Sequence, residues 1–292
     1  MTCYHPLKGF IVGKNNNTGK NIIKVTPYDV KALWKRTPDD TFHRIYDDEN
    51  TNSGIYYKNY VEVPCGHCVG CRLKRSRDWA NRCMLELPYH ESSYFVTLTY
   101  NNDNLPFHTE LDDYGNYINV STLVKKDLQD FLKRLRKNYK YGNHLKYYAC
   151  GEYGDNTSRS HYHLIIFGLK LDDLKFYKSS RMGFNYYTSE FLNKVWNKGF
   201  VVVANVSWET CAYVSRYVMK KKLGKESAFY DEYDIEPEFT CMSLKPAIGY
   251  EYFKEHKDKI YETDSISIST SKGGLTTKPP KYFDNLNQFD PA

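Results

Sequence analysis

His161 and His163, with Tyr162 between them, form the most chemically pointed pair in the sequence. They open the apolar run Leu164-Ile-Ile-Phe167, which reads as a strand. The period of two then sends both imidazoles to one face and Tyr162 to the other. Glu152 ends the preceding strand-like stretch, and antiparallel pairing of residues 145–152 with 161–167 sets its carboxylate beside the histidines. Two imidazoles and one carboxylate leave coordination positions open for water and a phosphate oxygen, which suits a catalytic divalent ion. Taken alone, the histidines are ordinary polar residues near a strand end and Glu152 an ordinary surface acid. Together they make a ligand set.

Tyr213 and Tyr217 lie in a stretch with helical character, where four residues of separation leave them only about 40° apart around the axis. A pair of aromatic core residues would show the same spacing. Arg216, Lys220 and Lys221 nearby argue for another use, because phenol hydroxyls close to cations and a phosphate are plausible nucleophiles. A tyrosine hydroxyl ionises near pH ~10, so it needs a base, a cation or a polarised electrophile to attack at neutral pH.

A third cluster is separate. Cys65-x-x-Cys68-x-x-Cys71 supplies three thiolates in a turn-rich stretch, and Cys3 or Cys83 would complete a tetrahedral structural zinc site, with His5 and His67 as weaker alternatives. Buried free thiols are the competing account. Arg72, Lys74, Arg75 and Arg77 follow directly and could present cations to DNA phosphates, with affinity that falls as salt rises.

The elements that must carry these residues can be read from periodicity. Apolar positions from Leu73 to Leu87 recur at helical spacing over 69–87, and Pro88 closes that helix. Tyr94-Phe-Val-Thr-Leu-Thr-Tyr100 has strand propensity throughout, with Phe95, Thr97 and Thr99 on one face. Ser121 is expected to cap a helix running to Asn138. Strands at 145–150 and 162–167, a helix at 189–196, a strand at 200–206 and a helix at 209–222 complete the order β-α-β-β-α-β-α. That order predicts an α+β fold of ferredoxin-like type, an antiparallel sheet with helices on one face. Residues 1–64 are polar and turn-rich and read as irregular; beyond 224 periodicity fades except for a short helix at 249–256. The expected organisation is an N-terminal extension with the zinc site and basic helix (1–90), a catalytic core (91–224) and a partly irregular C-terminal extension (225–292).

Composition bounds the class. With 292 residues, 41% hydrophobic and 26% charged, the chain can bury a core without disulfides, and no apolar run of about eighteen residues suggests a membrane span. The opening MTCYHPLKGF has no secretory pattern, so a reducing cytoplasm is the expected location, which the resemblance described below makes that of a bacterial host. The net charge of +6 is clustered, and 28 tyrosines offer stacking surfaces, a combination that fits single-stranded nucleic acid.

The assembled motifs resemble the HUH endonuclease superfamily, in its branch of rolling-circle replication initiators. Phe95-Val-Thr-Leu-Thr-Tyr100 is similar to the first motif, His161-Tyr-His163 to the metal motif, and Tyr213-x-x-x-Tyr217-x-x-Lys220 to the two-tyrosine motif. Met1-Thr-Cys-Tyr-His-Pro6, Pro64 to Cys71, Gly151-Glu-Tyr-Gly154 and Met242-Ser-Leu-Lys-Pro-Ala-Ile-Gly249 extend the likeness to initiators of gokushovirus-type microviruses over most of the chain. Tyr162 departs from the family pattern, which has an aliphatic residue there; pointing away from the metal, it should affect packing rather than ligation. The resemblance implies a ferredoxin-like or RRM-like palm and a transesterification at the origin of a small single-stranded DNA phage. It further implies Mg or Mn on Glu152, His161 and His163, Tyr213 and Tyr217 as nucleophiles, and Lys220 or Lys221 stabilising charge. Cys3 becomes the preferred fourth zinc ligand because it lies in the family-like N-terminal motif. Arg216 joins the DNA-facing cations, and host helicase and polymerase are implied partners. Two other readings stay open: a non-catalytic zinc-containing nucleic-acid-binding module, and a plasmid or transposon nickase of the same superfamily.

Overall fold

A computed structural model describes residues 3–16, 19–47, 53–111, 114–142, 144–155, 157–180, 183–216, 220–271 and 273–289. The chain divides into two compact units, Met1–Lys74 and Arg75–Ala292. The first contains β1 (Leu7–Lys14), β2 (Asn21–Thr26), β3 (Ala32–Lys35), β4 (His43–Ile45), β5 (Ile55–Tyr57) and β6 (Tyr60–Val63). They form two antiparallel sheets, β2-β1-β6 and β4-β3-β5, with Phe10, Val30 and Leu33 buried together. The expectation of an irregular segment over 1–64 is therefore corrected. Apart from β1 these strands are short, β1 buries three consecutive residues, and five of the six β2 positions are exposed, so no buried face printed a period of two on the sequence.

The division falls within helix α1 (Val69–Glu86). Next come β7 (Ser93–Tyr100), β8 (Phe107–Leu111), β9 (Tyr117–Ser121), α2 (Lys125–Asn138), β10 (Lys146–Tyr153) and β11 (Ser160–Phe167). Then follow β12 (Lys175–Ser179), β13 (Asn185–Thr188), α3 (Glu190–Trp196), β14 (Gly199–Asn205) and α4 (Trp208–Arg216). The remaining elements are α5 (Ala228–Glu232), β15 (Phe239–Met242), α6 (Tyr250–Thr263), β16 (Ile266–Thr270), β17 (Gly273–Thr277) and α7 (Lys281–Phe289).

Among the described residues the large sheet has seven strands, ordered β12-β13-β14-β7-β11-β10-β15, every neighbouring pair antiparallel. The fold is α+β, and the expected order β-α-β-β-α-β-α is met by β7, α2, β10, β11, α3, β14 and α4, with two hairpins that were not expected, β8-β9 and β12-β13, inserted between them. Helices α2 and α3 cover one face, where Leu128, Phe131, Leu135 and Trp196 pack on Val96, Leu98, Tyr162, Leu164 and Ile166. The other face is not open as expected. There α1 and α4 bring Ala80, Cys83, Cys211 and Val214 onto Phe95, Tyr148, Cys150, Ile165 and Phe167. Strand β11 is apolar on both faces from Leu164 to Phe167, and such a strand needs cover on both sides.

Ser121 is not the cap of α2. It closes β9, and the helix starts at Lys125 after Val124, with no side-chain cap. Tyr162 instead holds the N-cap residue itself: its hydroxyl accepts from Val124 N at 3.0 Å, donates to Val124 O at 2.9 Å and lies 2.9 Å from Tyr100 Oη. The aromatic departure at this position thus faces away from the histidine pair and into the core. Tyr162→Phe leaves a backbone N–H and a carbonyl without this partner, so urea unfolding should show a loss of about 1–3 kcal/mol. A change under about 0.5 kcal/mol would mean that α2 is held in another way.

The C-terminal tail is more ordered than its composition suggested. Phe253, Ile260, Ile266, Ile268 and Phe283, from α6, β16 and α7, form a cluster with Leu85 of α1. Arg82 lies between the Trp79 and Tyr282 rings and donates to Ile248 O at 2.9 and 3.1 Å. No helix among the described residues is long and apolar enough to cross a membrane.

Candidate active site

The strand period places the candidate residues on the face that α1 and α4 cover. In β11, Phe167 and Ile165 are part of that core, and His163 and His161 continue the same row toward the strand's start. Register pairs Glu152 with His161 and Cys150 with His163, while β7 lies on the other side with Thr97 opposite His163. Gly151 faces the other way; a Cβ there would come within 2.7 Å of Phe239 and 3.0 Å of Leu123, so the glycine lets β10 lie close beneath them.

The three predicted ligands converge. Glu152 Oε1 lies 2.7 Å from His161 Nε2 and 2.8 Å from His163 Nε2, and one ligand atom from each residue falls within 4.8 Å of the others. Each remaining ring nitrogen is engaged: His161 Nδ1 donates to Arg159 O at 3.0 Å, and His163 Nδ1 is 2.9 Å from Thr97 Oγ1. Such outer partners fix the tautomer and orientation of metal-binding imidazoles. The bond from His161 Nδ1 to the Arg159 carbonyl turns Nε2 toward Glu152 Oε1. Burial pushes Glu152 up, but hydrogen bonds from His161, His163 and Lys220 outweigh it and hold the carboxyl at about 2. Burial also keeps His163 below the usual histidine range, against the pull of Glu152. Both effects favour the ligand forms, carboxylate and neutral imidazole. The donor set fits a divalent cation.

Tyr213 is brought to this site by α4, which packs on β10 and β11. Its ring stands edge-on to His163 at 5.2 Å and to Phe95 at 6.0 Å, while Phe95 stacks on His163. Cys211, Ala212 and Val214 are buried and Tyr213 is 44% exposed, so α4 turns the phenol outward beside the histidines. Tyr217 lies outside the described residues. Lys220 is the lysine placed on Glu152, with Nζ 3.0 Å from Oε2 and 2.7 Å from Asp155 Oδ1. Lys221 is half-buried, and Arg216 is exposed at the end of the described part of α4. Thr97, Asp155 and the Arg159 carbonyl were not singled out from the sequence. Of these only Thr97 was findable, since it shares a strand face with Phe95 and Thr99.

In the first unit Cys3, Cys65, Cys68 and Cys71 bring their sulfurs within 4.8 Å of one another, and none is in a disulfide. Cys3 Sγ is 3.6 Å from Cys65 Sγ and 3.8 Å from Cys68 Sγ. A tetrahedral zinc with bonds of about 2.3 Å sets sulfur–sulfur edges near about 3.8 Å, so the cluster is compatible with structural zinc. Backbone N–H groups point at the sulfurs, Tyr4 N to Cys68 at 3.4 Å and Cys65 N to Cys3 at 3.3 Å. Those of Cys71 and Tyr4 pull the Cys68 thiol down to about 6, toward the ligating thiolate. Cys83, the alternative fourth ligand, is buried in the core with Cys211. His5 and His67 are not part of the four-sulfur group. Arg72 is half-buried, and Lys74, Arg75 and Arg77 lie along α1.

These features define an α+β protein with a histidine–carboxylate cluster at one sheet face and a four-cysteine cluster near its N-terminus. The family model for the replication-associated protein ORF2 matches residues 93–222, the stretch that holds Glu152, His161, His163 and Tyr213. Replication-associated protein ORF2 of Spiroplasma virus 4 is 39% identical over 235 residues, 78% of this chain and 69% of that protein. Replication-associated protein VP4 of Bdellovibrio phage phiMH2K is 28% identical over 76% of this chain and 66% of its own length. For replication-associated protein ORF4 of Chlamydia phage 1 the figures are 30%, 77% and 53%. No solved structure matches the chain significantly. The chain belongs to the replication-associated proteins of gokushovirus-type phages.

Proposed function

We propose that this protein initiates replication of a small single-stranded DNA phage by nicking the origin through a tyrosine. The observation that carries the reading is the convergence of Glu152, His161 and His163 with the Tyr213 phenol packed against His163. Residues 91–224 form the HUH endonuclease core, a ferredoxin-like palm; residues 1–90 carry the zinc site and basic helix, and residues 225–292 are a C-terminal extension.

The hydroxyl of Tyr213 or Tyr217 attacks the scissile phosphorus. An O–P bond to tyrosine forms, the bond from phosphorus to the 3′-oxygen breaks, and that oxygen gains the proton the phenol loses. The products are a 5′-phosphotyrosine link and a free 3′-hydroxyl that primes host polymerase. The second tyrosine repeats the exchange on the regenerated origin; the 3′-hydroxyl so released attacks the phosphorus of the first phosphotyrosine, the new phosphodiester closes the displaced strand, and the P–O bond to tyrosine breaks with the phenol regaining a proton. Mg or Mn, held by Glu152, His161 and His163, supplies Lewis-acid polarisation of the phosphate. Thr97 and the Arg159 carbonyl hold the two rings in register. Lys220 neutralises charge next to Glu152, and Lys221 and Arg216 add cations on the tyrosine side. Zinc on Cys3, Cys65, Cys68 and Cys71 is structural, and Arg72, Lys74, Arg75 and Arg77 meet DNA phosphates. The work is done in the host cytoplasm, with the host helicase opening the duplex ahead of the polymerase.

The test is to incubate the protein with origin-bearing single-stranded DNA and manganese and to look for a covalent adduct on denaturing gels. The expected adduct disappears with chelator and in the double variant Tyr213→Phe, Tyr217→Phe. Binding without an adduct would replace this reading with a zinc-containing nucleic-acid-binding module.

A further inference from the structure

The hairpin β8–β9 has no part in the mechanism above, yet it is bonded to Ser160, the residue before the histidine pair. Register sets Phe107 opposite Ser121, Thr109 opposite Asn119 and Leu111 opposite Tyr117, so these six share one face of the ribbon. That face is turned to solvent: Phe107 is 51% exposed and Tyr117 80%. A cleft of about 630 Å³ runs between it and the turn ahead of β11, with Phe107, Leu105, Asn102, Asn119 and Arg159 in its walls. Its size lies in the range of small-ligand sites.

The cleft is joined to the metal-ligand cluster by short bonds. Ser121 Oγ accepts from Ser160 N at 2.9 Å and donates to Ser160 Oγ at 3.0 Å, which fixes the hairpin to the residue before His161. Arg159 serves both places. Its carbonyl orients His161, while its guanidinium, held by Asn102 Oδ1 and Tyr100 O at 3.0 Å each, lines the cleft. Asn102 and Asn119 each accept one bond at Oδ1, from Arg159 and Thr109, and so present amides in fixed positions.

An exposed aromatic ring, two anchored amides and a guanidinium are the groups that hold a base by its face, its edge and its phosphate. We infer that this cleft seats one unpaired base of the DNA strand, stacked on Phe107 and read by Asn102 and Asn119, with Arg159 toward the backbone. The inference rests on the proposal that the neighbouring site takes single-stranded DNA, and it makes the hairpin a specificity element for that strand.

The experiment uses the full chain and fluorescein-labelled single-stranded DNA of mixed sequence, read by anisotropy at fixed salt, with a second strand carrying a fluorescent adenine analogue. Phe107→Ala should weaken binding roughly tenfold and reduce the quenching of the analogue, and Phe107→Trp should restore both. Asn119→Ala should narrow the spread of affinities among homopolymers. Unchanged affinity and quenching in Phe107→Ala would overturn the inference. The adduct assay on the same preparations separates the two claims. An adduct with no effect of Phe107 sinks the cleft alone; a Phe107 effect with no adduct keeps the cleft and sinks the nickase.

Discussion

Replacing His163 with alanine is expected to slow covalent adduct formation by on the order of a thousandfold, while DNA binding stays within a few-fold. A metal acting on a phosphoryl oxygen is worth several kcal/mol, and each 1.36 kcal/mol is about a factor of ten in rate. Of the three candidate ligands His163 has the most support, with Thr97 on Nδ1, Phe95 against its face and Glu152 at Nε2. Thr97→Val should fall between the parent and His163→Ala, at about ten- to a hundredfold, because it removes only the outer partner. Single-turnover rates at saturating manganese read both effects, with thermal melting to confirm that each variant is folded. A His163→Ala protein that forms adduct at the parent rate would remove the histidine cluster from the chemistry.

The second large effect concerns the four cysteines. Structural zinc contributes on the order of 10–16 kcal/mol of apparent binding energy, as much as the whole stability of an ordinary domain. The first unit has only a small core around Phe10, Val30 and Leu33, so losing the metal should cost it its fold. Cys68→Ser is expected to lower bound zinc from about one equivalent to near none and to abolish hydrogen-exchange protection in β1 and β6. The sheet around β7 and β11 should retain its protection. Elemental analysis and exchange mass spectrometry check this together. Full protection of β1 in a zinc-free Cys68→Ser protein would show that the unit folds without metal.

The candidate site was legible because strand periodicity turns spacing into geometry. Once 161–167 is a strand paired with 145–152, His161, His163 and Glu152 have little choice but to meet. Thr97 follows from cross-strand register, which one strand alone does not fix, and Asp155 and the Arg159 carbonyl come from a turn whose path local sequence leaves open. The cap of α2 shows the same limit. Ser121 has the right chemistry at nearly the right place, but the bond is made by Tyr162, remote in sequence. Hairpin β8–β9 gives no strand signal in the sequence because its outer face carries Phe107, Leu111 and Tyr117, inverting the usual apolar-in pattern. The second helical layer was likewise hidden: α1 was expected as a basic helix, and its apolar side, Ala80 and Cys83, gave no hint of which sheet face it would cover.

In the proposed reaction a tyrosine of α4 or of the segment just after it becomes linked to DNA. Adduct formed with manganese, digested with nuclease and trypsin and sequenced by mass spectrometry, tests it most directly. A nucleotide phosphate on Tyr213 or Tyr217 is expected; the same mass on another residue, or a noncovalent complex alone, would overturn the tyrosine nickase.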